Sequence, residues 1–493
     1  MLTSSHLATL RSTLPLVAAA ADDIADDFYA RLFADRPDLL RDQFNRGDQA
    51  QGRQQRELAR TIVALADDVV GTQVGSHVPQ LPGTHTTVGA DSAGSDSRGS
   101  GSAGAGSASA GSASAGSASA REASAAVAVA PWSVSAPASW AVRSAAREIT
   151  SRLAQRHAAL RIGRSEYDLF ERHLGAAFAA ALGDAWTEEA REAWSTVYRQ
   201  TRDELVTSVE AVYRAADQPL DDDWREALIT DYRLVAEDVV ALTLVSADSE
   251  ALPPYRAGQF ASIQVVLPDG ARQIRQYSLR GGSDEQWRIS ARVLDGEGVV
   301  PDGEVSTHLR DHLSAGDVVS VSPPIGSLTI DELDDAPLVL VSAGIGCTPV
   351  LGMLDHLART EPTREVTVLH FERTPERHAH RAELEALVAS MPNARLRVSY
   401  TGGSLSALSA LGVPLSEVSL DGVGAYLEPI DLDVARLTAS HRVFLCGPVP
   451  FMAIARAALI EHGVPASRVH YFVFGPDDGT VVGADTGQRR PQP

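Results

Sequence analysis

LVLVSAGIGCTPVLGML, Leu338–Leu354, decides how this chain folds. The apolar run LVLVSA reads as a strand covered on both faces, a glycine turn follows, and the apolar periodicity beyond it reads as a helix. Strand, glycine turn and helix in that order are half of a βαβ unit. Thr348 is expected to cap the helix and Pro349 to take its first position. The free N–H groups of such a helix start attract phosphate. The competing reading is an ordinary βα turn, because the third glycine of the dinucleotide fingerprint is missing.

Working outward to the right, the alternation continues. EVTVLHF (365–371) precedes a helix expected around 380–389. HRVFLCG (441–447) precedes the helical PFMAIARAALIEHG (450–463), and VHYFVFG (469–475) closes the series. Residues 333–477 are therefore expected to form an α/β domain on a parallel sheet, with a loose polar tail over 478–493. To the left the period changes to two. LVAEDVVALTLVSA, GQFASIQVVL, RQIRQYSL, QWRISARVL and GDVVSVSPP read as short antiparallel strands, so 224–332 is expected to be a small barrel.

Further left the pattern is helical. Phe28, Leu32 and Phe33 recur at helical spacing, and Pro37 can open a short helix after Asp35. A second stretch from Gln54 is expected to turn Leu58, Ile62, Leu65 and Val69 inward. Residues 71–140 are mostly Gly, Ser, Ala and Thr, including GSASAGSASAGSASA at 106–120, too poor in apolar surface to offset ordering. They read as a disordered insertion, with a partner-binding tether anchored by Trp132 and Trp140 as the alternative. Helical pattern resumes near Val142. Residues 1–70 and 141–216 thus make one all-α domain, interrupted at a loop whose length costs little.

The chain has 493 residues and a net charge of −21. Nucleic acid and anionic lipid are poor partners for that charge. All 43 basic residues are arginine. Cys347 and Cys446 are the two cysteines, which suits a reducing compartment; both read as small packed residues of the glycine turns. No apolar run reaches the length of a membrane span, and LPLVAAAADDIADDF reads as an amphipathic helix, so a soluble cytoplasmic protein is expected. Asp22, Asp23, Asp26 and Asp27 read as a solvated helix face. His308, His312, His378 and His380 read as solvated side chains rather than a metal cluster.

Ile149, Leu153, His157 and Leu160 fall on one helical stripe, with Tyr167 ten residues after the histidine. A lone histidine there is first read as a hydrogen-bonded core residue. Other motifs bear on it. RQYSL (275–279) sits on a barrel strand, where an arginine can clamp pyrophosphate and a tyrosine can stack on a flat ring. GEVSTHL (303–309) and CGPVPFM (446–452) follow in order. RxYS, GxVS, GxGxTP and CGP in this sequence resemble the flavin reductases of the ferredoxin–NADP reductase superfamily. A globin-sized helical domain ahead of them resembles the flavohaemoglobins.

The resemblance implies a globin domain, a β-barrel FAD domain and an α/β NAD(P)-binding domain, with haem b, FAD and NAD(P)H as cofactors. It implies that Tyr29 matches the distal tyrosine that bonds iron-bound oxygen, Phe44 the phenylalanine wedged against haem, Gln54 the distal glutamine and Leu58 the distal leucine. His157 matches the proximal iron ligand, through neutral imidazole, and Tyr167 the tyrosine that orients it. Flavin contacts fall on Phe260, where the family usually has tyrosine, on Arg275, Gln276, Tyr277 and Ser278, and on Val305, Ser306 and Thr307. Nucleotide contacts fall on Gly344, Ile345, Gly346, Cys347, Thr348 and Pro349, on Cys446, Gly447 and Pro448, and on the VFGP motif Val473, Phe474, Gly475 and Pro476. The implied activity is oxidation of nitric oxide to nitrate with oxygen, driven by NAD(P)H.

Three departures stand out. The family's proximal glutamate falls on Val209; Glu210 is next, and one helical residue turns a side chain by about 100°. Glu210 is the candidate replacement. Arg156 stands where the family has lysine, and Phe472 where it has glutamate, so redox tuning is expected to differ. Two other readings stay open: a reductase serving other acceptors, and a haem-based gas sensor.

Overall fold

The structure is a computed structural model that describes residues 2–74, 150–216, 218, 220, 224–281, 286–296, 302–332, 335–400 and 437–474. Most of the expected insertion lies outside them, as do Trp132, Trp140, Gly475, Pro476 and the tail.

The first domain is all helix. Helix α1 (Ser4–Ala19) starts at Thr3, whose hydroxyl accepts from His6 N at 3.1 Å. It ends at Ala19, so LPLVAAAADDIADDF is not one amphipathic helix as expected: the stretch is divided at Ala20 between α1 and the next helix. Helix α2 (Ala21–Asp35) turns Ile24, Phe28 and Leu32 inward and leaves Asp22, Asp23 and Asp26 exposed. Helix α3 (Pro37–Asp42) begins at its proline, whose missing N–H is harmless in a first turn. Helix α4 (Arg46–Ala50) is capped by the Asn45 side chain. In α5 (Arg53–Val74) the most buried residues are Ala59, Ile62 and Ala66, one step round from part of the expected stripe. This helix also continues four residues into the stretch read as insertion.

Helical backbone at residues 150–159, here α6, carries His157. It ends with Arg161 at φ 54°, where Ile162 N bonds His157 O (2.9 Å) and Arg161 N bonds Ala158 O (3.1 Å). This paired closure normally takes glycine at the left-handed position, and arginine there costs about 1 kcal/mol. Helix α7 (Arg164–Leu182) follows after four residues, its first turn stabilised by Glu166 accepting from Gly163 N (2.8 Å). Helix α8 (Glu188–Ala215) completes the domain.

The second domain is a six-stranded antiparallel sheet: β1 (Arg225–Ala236), β2 (Val239–Ser246), β3 (Phe260–Val266), β4 (Arg272–Ser278), β5 (Trp287–Arg292) and β6 (Val318–Val321). Their order is β4-β3-β6-β1-β2-β5. The two outer strands meet where Arg280 N bonds Arg288 O at 2.9 Å, which bends the sheet into the expected barrel. LVAEDVVALTLVSA is not one strand: its first residues end β1, Glu237–Asp238 turn, and the rest is β2. The acidic pair breaks the apolar run at the turn. Helix α9 (Glu304–Asp311) covers one edge and bears GEVSTHL.

The third domain is a five-stranded parallel sheet of β7 (Leu338–Ala343), β8 (Val366–Glu372), β9 (Ala394–Tyr400), β10 (Arg442–Cys446) and β11 (Val469–Phe472), ordered β11-β10-β7-β8-β9. Helices α10 (Cys347–Thr360), α11 (Arg381–Ala389) and α12 (Val449–Glu461) pack on it. Strand β9 has no counterpart in the sequence reading. It is an edge strand, and its alternating, arginine-rich residues make no apolar run.

Candidate functional site

The helical pocket is built from rings. Tyr29 stacks on Phe33 at 5.6 Å and meets Phe28 and Phe44 edge-on at 4.9 and 6.1 Å. Phe44 continues to Phe170 (6.4 Å), Phe170 to Tyr167 (6.1 Å), and Tyr167 to His157 (5.4 Å). The expected residues thus line one aromatic path from α2 to α6. Leu58 packs on the same cluster. Gln54 accepts a hydrogen bond from Gln49, so its amide oxygen is engaged on α4.

His157 Nδ1 lies 2.5 Å from the Tyr167 hydroxyl. Tyr167 is held in turn by Tyr198, whose hydroxyl donates to the Tyr167 carbonyl at 2.7 Å. Burial, with the neighbouring Arg156 cation adding to it, pushes the His157 pKa down to about 3. The imidazole is neutral near pH 7. The neutral tautomer in which Nδ1–H donates to the Tyr167 oxygen leaves a lone pair on Nε2, which has no hydrogen-bond partner among the described residues. The Tyr29 hydroxyl likewise meets no partner there, and burial raises its pKa above the ordinary tyrosine value. Among the described residues no three His, Cys, Asp or Glu side chains gather to hold a metal ion. One neutral imidazole with its Nε2 left over and one protonated phenol, set amid aromatic rings, fit a haem held by a single axial ligand.

Glu210 is not part of this pocket. It is exposed on α8 and lines an interdomain cleft of about 1000 Å³, while Val209 is fully buried. No carboxylate hydrogen-bonds His157 or Tyr167 among the described residues. The helix keeps its register, so the single-residue offset swings the acid to solvent. Arg156 instead pairs with Glu57 on α5. Phe472 meets Phe260 edge-on at 6.1 Å and stacks on Phe474 at 5.6 Å.

Helix α6 is docked on the other two domains. Ser262 on β3 donates to Ala159 O at 2.7 Å, Gln155 donates to Ser327 at 2.7 Å, and Arg152 bonds the Tyr471 hydroxyl and covers its ring at 4.4 Å. Tyr213 donates to Ala158 O at 2.9 Å and accepts from Trp224 at 3.2 Å. The sequence reading assigned none of these residues a contact. The available signals were a serine on a strand and buried aromatics at the domain junction, both common in structures that do nothing else.

On the barrel, Tyr277 and Arg275 share one face of β4, opposite Ala261 and Ile263, and Ser278 pairs with Phe260 across the strands. Gln276 faces the other way, beside Ser262. Val305 and Ser306 are buried in α9, and Ser306 donates to Gly303 O at 3.0 Å. Thr307 Oγ1 is buried with no partner among the described residues. An unpaired hydroxyl in the first turn of α9, the Arg275 cation and the Tyr277 ring on neighbouring positions of β4 fit an anionic flavin nucleotide.

The glycine turns of the third domain touch. A Cβ on Gly346 would stand 2.4 Å from the Cys446 carbonyl oxygen, so only glycine fits. Gly344 has φ 58°. Gly344–Gly346 form a tight turn that leads directly into α10, and Gly447 and Pro448 lead into α12. Thr348 is therefore not the cap: it is the second helical residue and donates to Ile345 O at 3.0 Å, with Pro349 third. Strands β7 and β10 are neighbours whose chains depart in opposite directions, and this switch point is where α/β sheets bind dinucleotides. Cys347 and Cys446 are buried; burial pushes the Cys347 thiol up to about 12 and the Cys446 thiol higher. His378 and His380 are buried, not solvated as expected: His378 stacks on His370 of β8, and His380 lies 2.8 Å from Ser290 on the barrel strand β5.

The family model "Oxidoreductase NAD-binding domain" matches residues 340–457, and "Globin" matches 139–205. The chain is 28% identical to a "Flavohemoprotein" of Bordetella pertussis over 483 residues, covering 96% of this chain and 99% of that one. It is 27% identical to a "Flavohemoprotein" of Rhizobium meliloti, with 97% and 99% covered. A crystal structure of flavohemoglobin from Malassezia yamatoensis, with bound FAD and heme, superposes at a TM-score of 0.71 and 26% identity, covering 96% of this chain and all of that one.

Proposed function

The chain belongs to the flavohaemoglobins, and on that premise we propose that it draws electrons from NAD(P)H through FAD to haem and oxidises nitric oxide to nitrate with oxygen. In this reading residues 1–70 and 141–216 make the haem domain, 224–332 the FAD domain and 333–477 the NAD(P)H domain. The observation that carries it is the docking of α6. The helix with His157 is hydrogen-bonded to the domain with RQYSL and to β11 beside Phe472. A free-standing globin has no use for that junction.

When bound, haem supplies the iron chemistry at oxygen, and FAD divides the two electrons of a hydride into single ones. The chain supplies placement. Burial keeps His157 neutral, and with Nδ1–H donated to the Tyr167 oxygen, which also fixes the ring's rotation, Nε2 is available as a ligand. Tyr29 stays protonated far above neutral pH and offers a donor on the side of Phe44. The paired helix starts of α10 and α12 offer N–H groups to a dinucleotide phosphate. Nitric oxide and oxygen are neutral, so the charge of −21 neither steers nor repels them. Two buried thiols suit the cytoplasm as the compartment.

A second reading has one observation in its favour. With Glu210 at the surface, no carboxylate polarises His157 among the described residues, which makes the imidazole a poorer donor. A reductase serving other acceptors would tolerate that. Stopped-flow mixing of the reduced, oxygenated holoprotein with nitric oxide separates the two. Stoichiometric nitrate at near-diffusion rates supports the dioxygenase; sluggish nitrate with brisk flavin turnover overturns it in favour of the reductase.

A further inference from the structure

The segment Leu40–Asp48 runs from the end of α3 through the Gln43–Asn45 corner, which carries Phe44, into α4, and it is gripped from outside its own domain. Helix α3 has six residues and ends with carbonyls that no later turn can satisfy. The donor comes from the barrel. Gln273 on β4 is fully buried, and its Nε2 donates to Arg41 O at 2.9 Å and Phe44 O at 3.2 Å, with Leu40 O at 3.4 Å. Its Oε1 accepts from Arg275 Nη1 at 3.1 Å, and Arg275 Nη2 donates to Asn45 Oδ1 at 2.7 Å. One face of one strand therefore carries Gln273, Arg275 and Tyr277 in succession.

We propose that Gln273 is a positioning residue that ties the Phe44 corner to the flavin strand and so sets the path for electrons from flavin to haem. The proposal rests on the electron route described above. The amide suits the task because it offers donors to the carbonyls and an acceptor to the arginine, and both ends are used. Phe44 touches Tyr29 and Phe33, so a shift of its carbonyl is passed to the rings around the haem site. Other contacts keep the domains docked when the amide is lost: Arg272 N donates to Asp42 at 3.0 Å, and Arg46 pairs with Asp269 at 2.8 Å and Glu304 at 2.7 Å. Removing Gln273 should loosen the corner and leave the interface standing.

The test uses the full-length holoprotein with Gln273→Leu, and with Gln273→Asn, which keeps the amide on an arm one methylene shorter in case the leucine variant fails to fold. Hydrogen exchange should quicken roughly tenfold across residues 40–48 and little elsewhere. Anaerobic single-turnover mixing with NADH or NADPH should show unchanged flavin reduction and haem reduction slowed about 10- to 100-fold. Unchanged exchange at 40–48 overturns the clamp. Faster exchange with an unchanged haem step overturns the role in electron transfer, and so does equal slowing of flavin and haem. If the unmodified protein never reduces its haem, the electron route itself fails and takes that role with it, while the exchange result still decides the clamp.

Discussion

The Tyr167 hydroxyl and His157 Nδ1 stand 2.5 Å apart across the turn that joins α6 to α7. That single contact sets the rotation of the imidazole, and the closure at Arg161 and Ile162 fixes the backbone that bears it. His157→Ala should therefore abolish the haem absorption of the purified protein while FAD stays bound. Retained haem with unaltered ligation would remove the ligand assignment. Tyr167→Phe deletes only the hydroxyl. It should keep haem, shift the iron–histidine vibration seen by resonance Raman, and cost about 1 kcal/mol in chemical denaturation.

Glu210 is exposed, so Glu210→Ala should leave the haem spectrum and the iron–histidine vibration as they are and move stability by less than about 0.5 kcal/mol. A shifted vibration would show that the carboxylate reaches the proximal side after all.

Gly346→Ala forces a methyl against the Cys446 carbonyl. Backbone cannot retreat as a flexible side chain can, so the two turns must separate, at a cost of about 2 kcal/mol or more. NAD(P)H should reduce the flavin far more slowly, whereas dithionite reduces it as before. Equal rates with both reductants would place the dinucleotide elsewhere.

His370 and His378 lie buried with their rings stacked at 4.3 Å. Nδ1 of His370 meets Ser342 at 2.9 Å, and Nδ1 of His378 meets the Tyr400 hydroxyl at 3.0 Å. Burial holds His378 down at about 4 and His370 well below the usual histidine value. Both are neutral in the fold, while the unfolded chain takes up protons near pH 6.5. Between about pH 6.5 and about pH 4 the unfolded state binds more protons, so stability falls as pH falls. The urea midpoint should drop on going from about pH 7 to about pH 5, and drop less in His378→Gln, which cannot take up the proton. Parallel pH profiles for the two proteins would show that the pair does not titrate with unfolding.

Arg280 on the barrel pairs with Glu383 of α11, its Nη1 donating to both carboxylate oxygens at 3.0 and 2.9 Å, and its Nε donates to Ser290 at 2.9 Å. The guanidinium is nearly buried and the carboxylate about one-third exposed. Arg280→Ala should cost about 1–3 kcal/mol, less than a fully buried pair because solvent screens the acid. A thermal melt unchanged by the substitution would show that the two reductase domains hold together without it.

What the residues determined by themselves was the type and order of most elements, although short spacing misplaced the Thr348 cap and part of the α5 stripe. The strand–turn–helix at 338–354, the period-two run after 224, the helix opened by Pro37 and the helix that bears Leu153 and His157 follow from rules that reach a few residues along the chain, while Ile149 of the expected stripe lies outside the described residues. Order along the chain then brought RQYSL, GEVSTHL and the two glycine turns into one recognisable series. Tertiary structure decided where side chains with several possible partners went. It swung Glu210 to solvent, buried His378 against β8 and His380 against the barrel, gave Arg156 to Glu57, and set the Gln273 amide against the α3–α4 corner. The reason is physical. A helix or strand period states which residues share a face, whereas the neighbour that face meets depends on how whole domains pack, and polar groups choose partners only once that packing has excluded water.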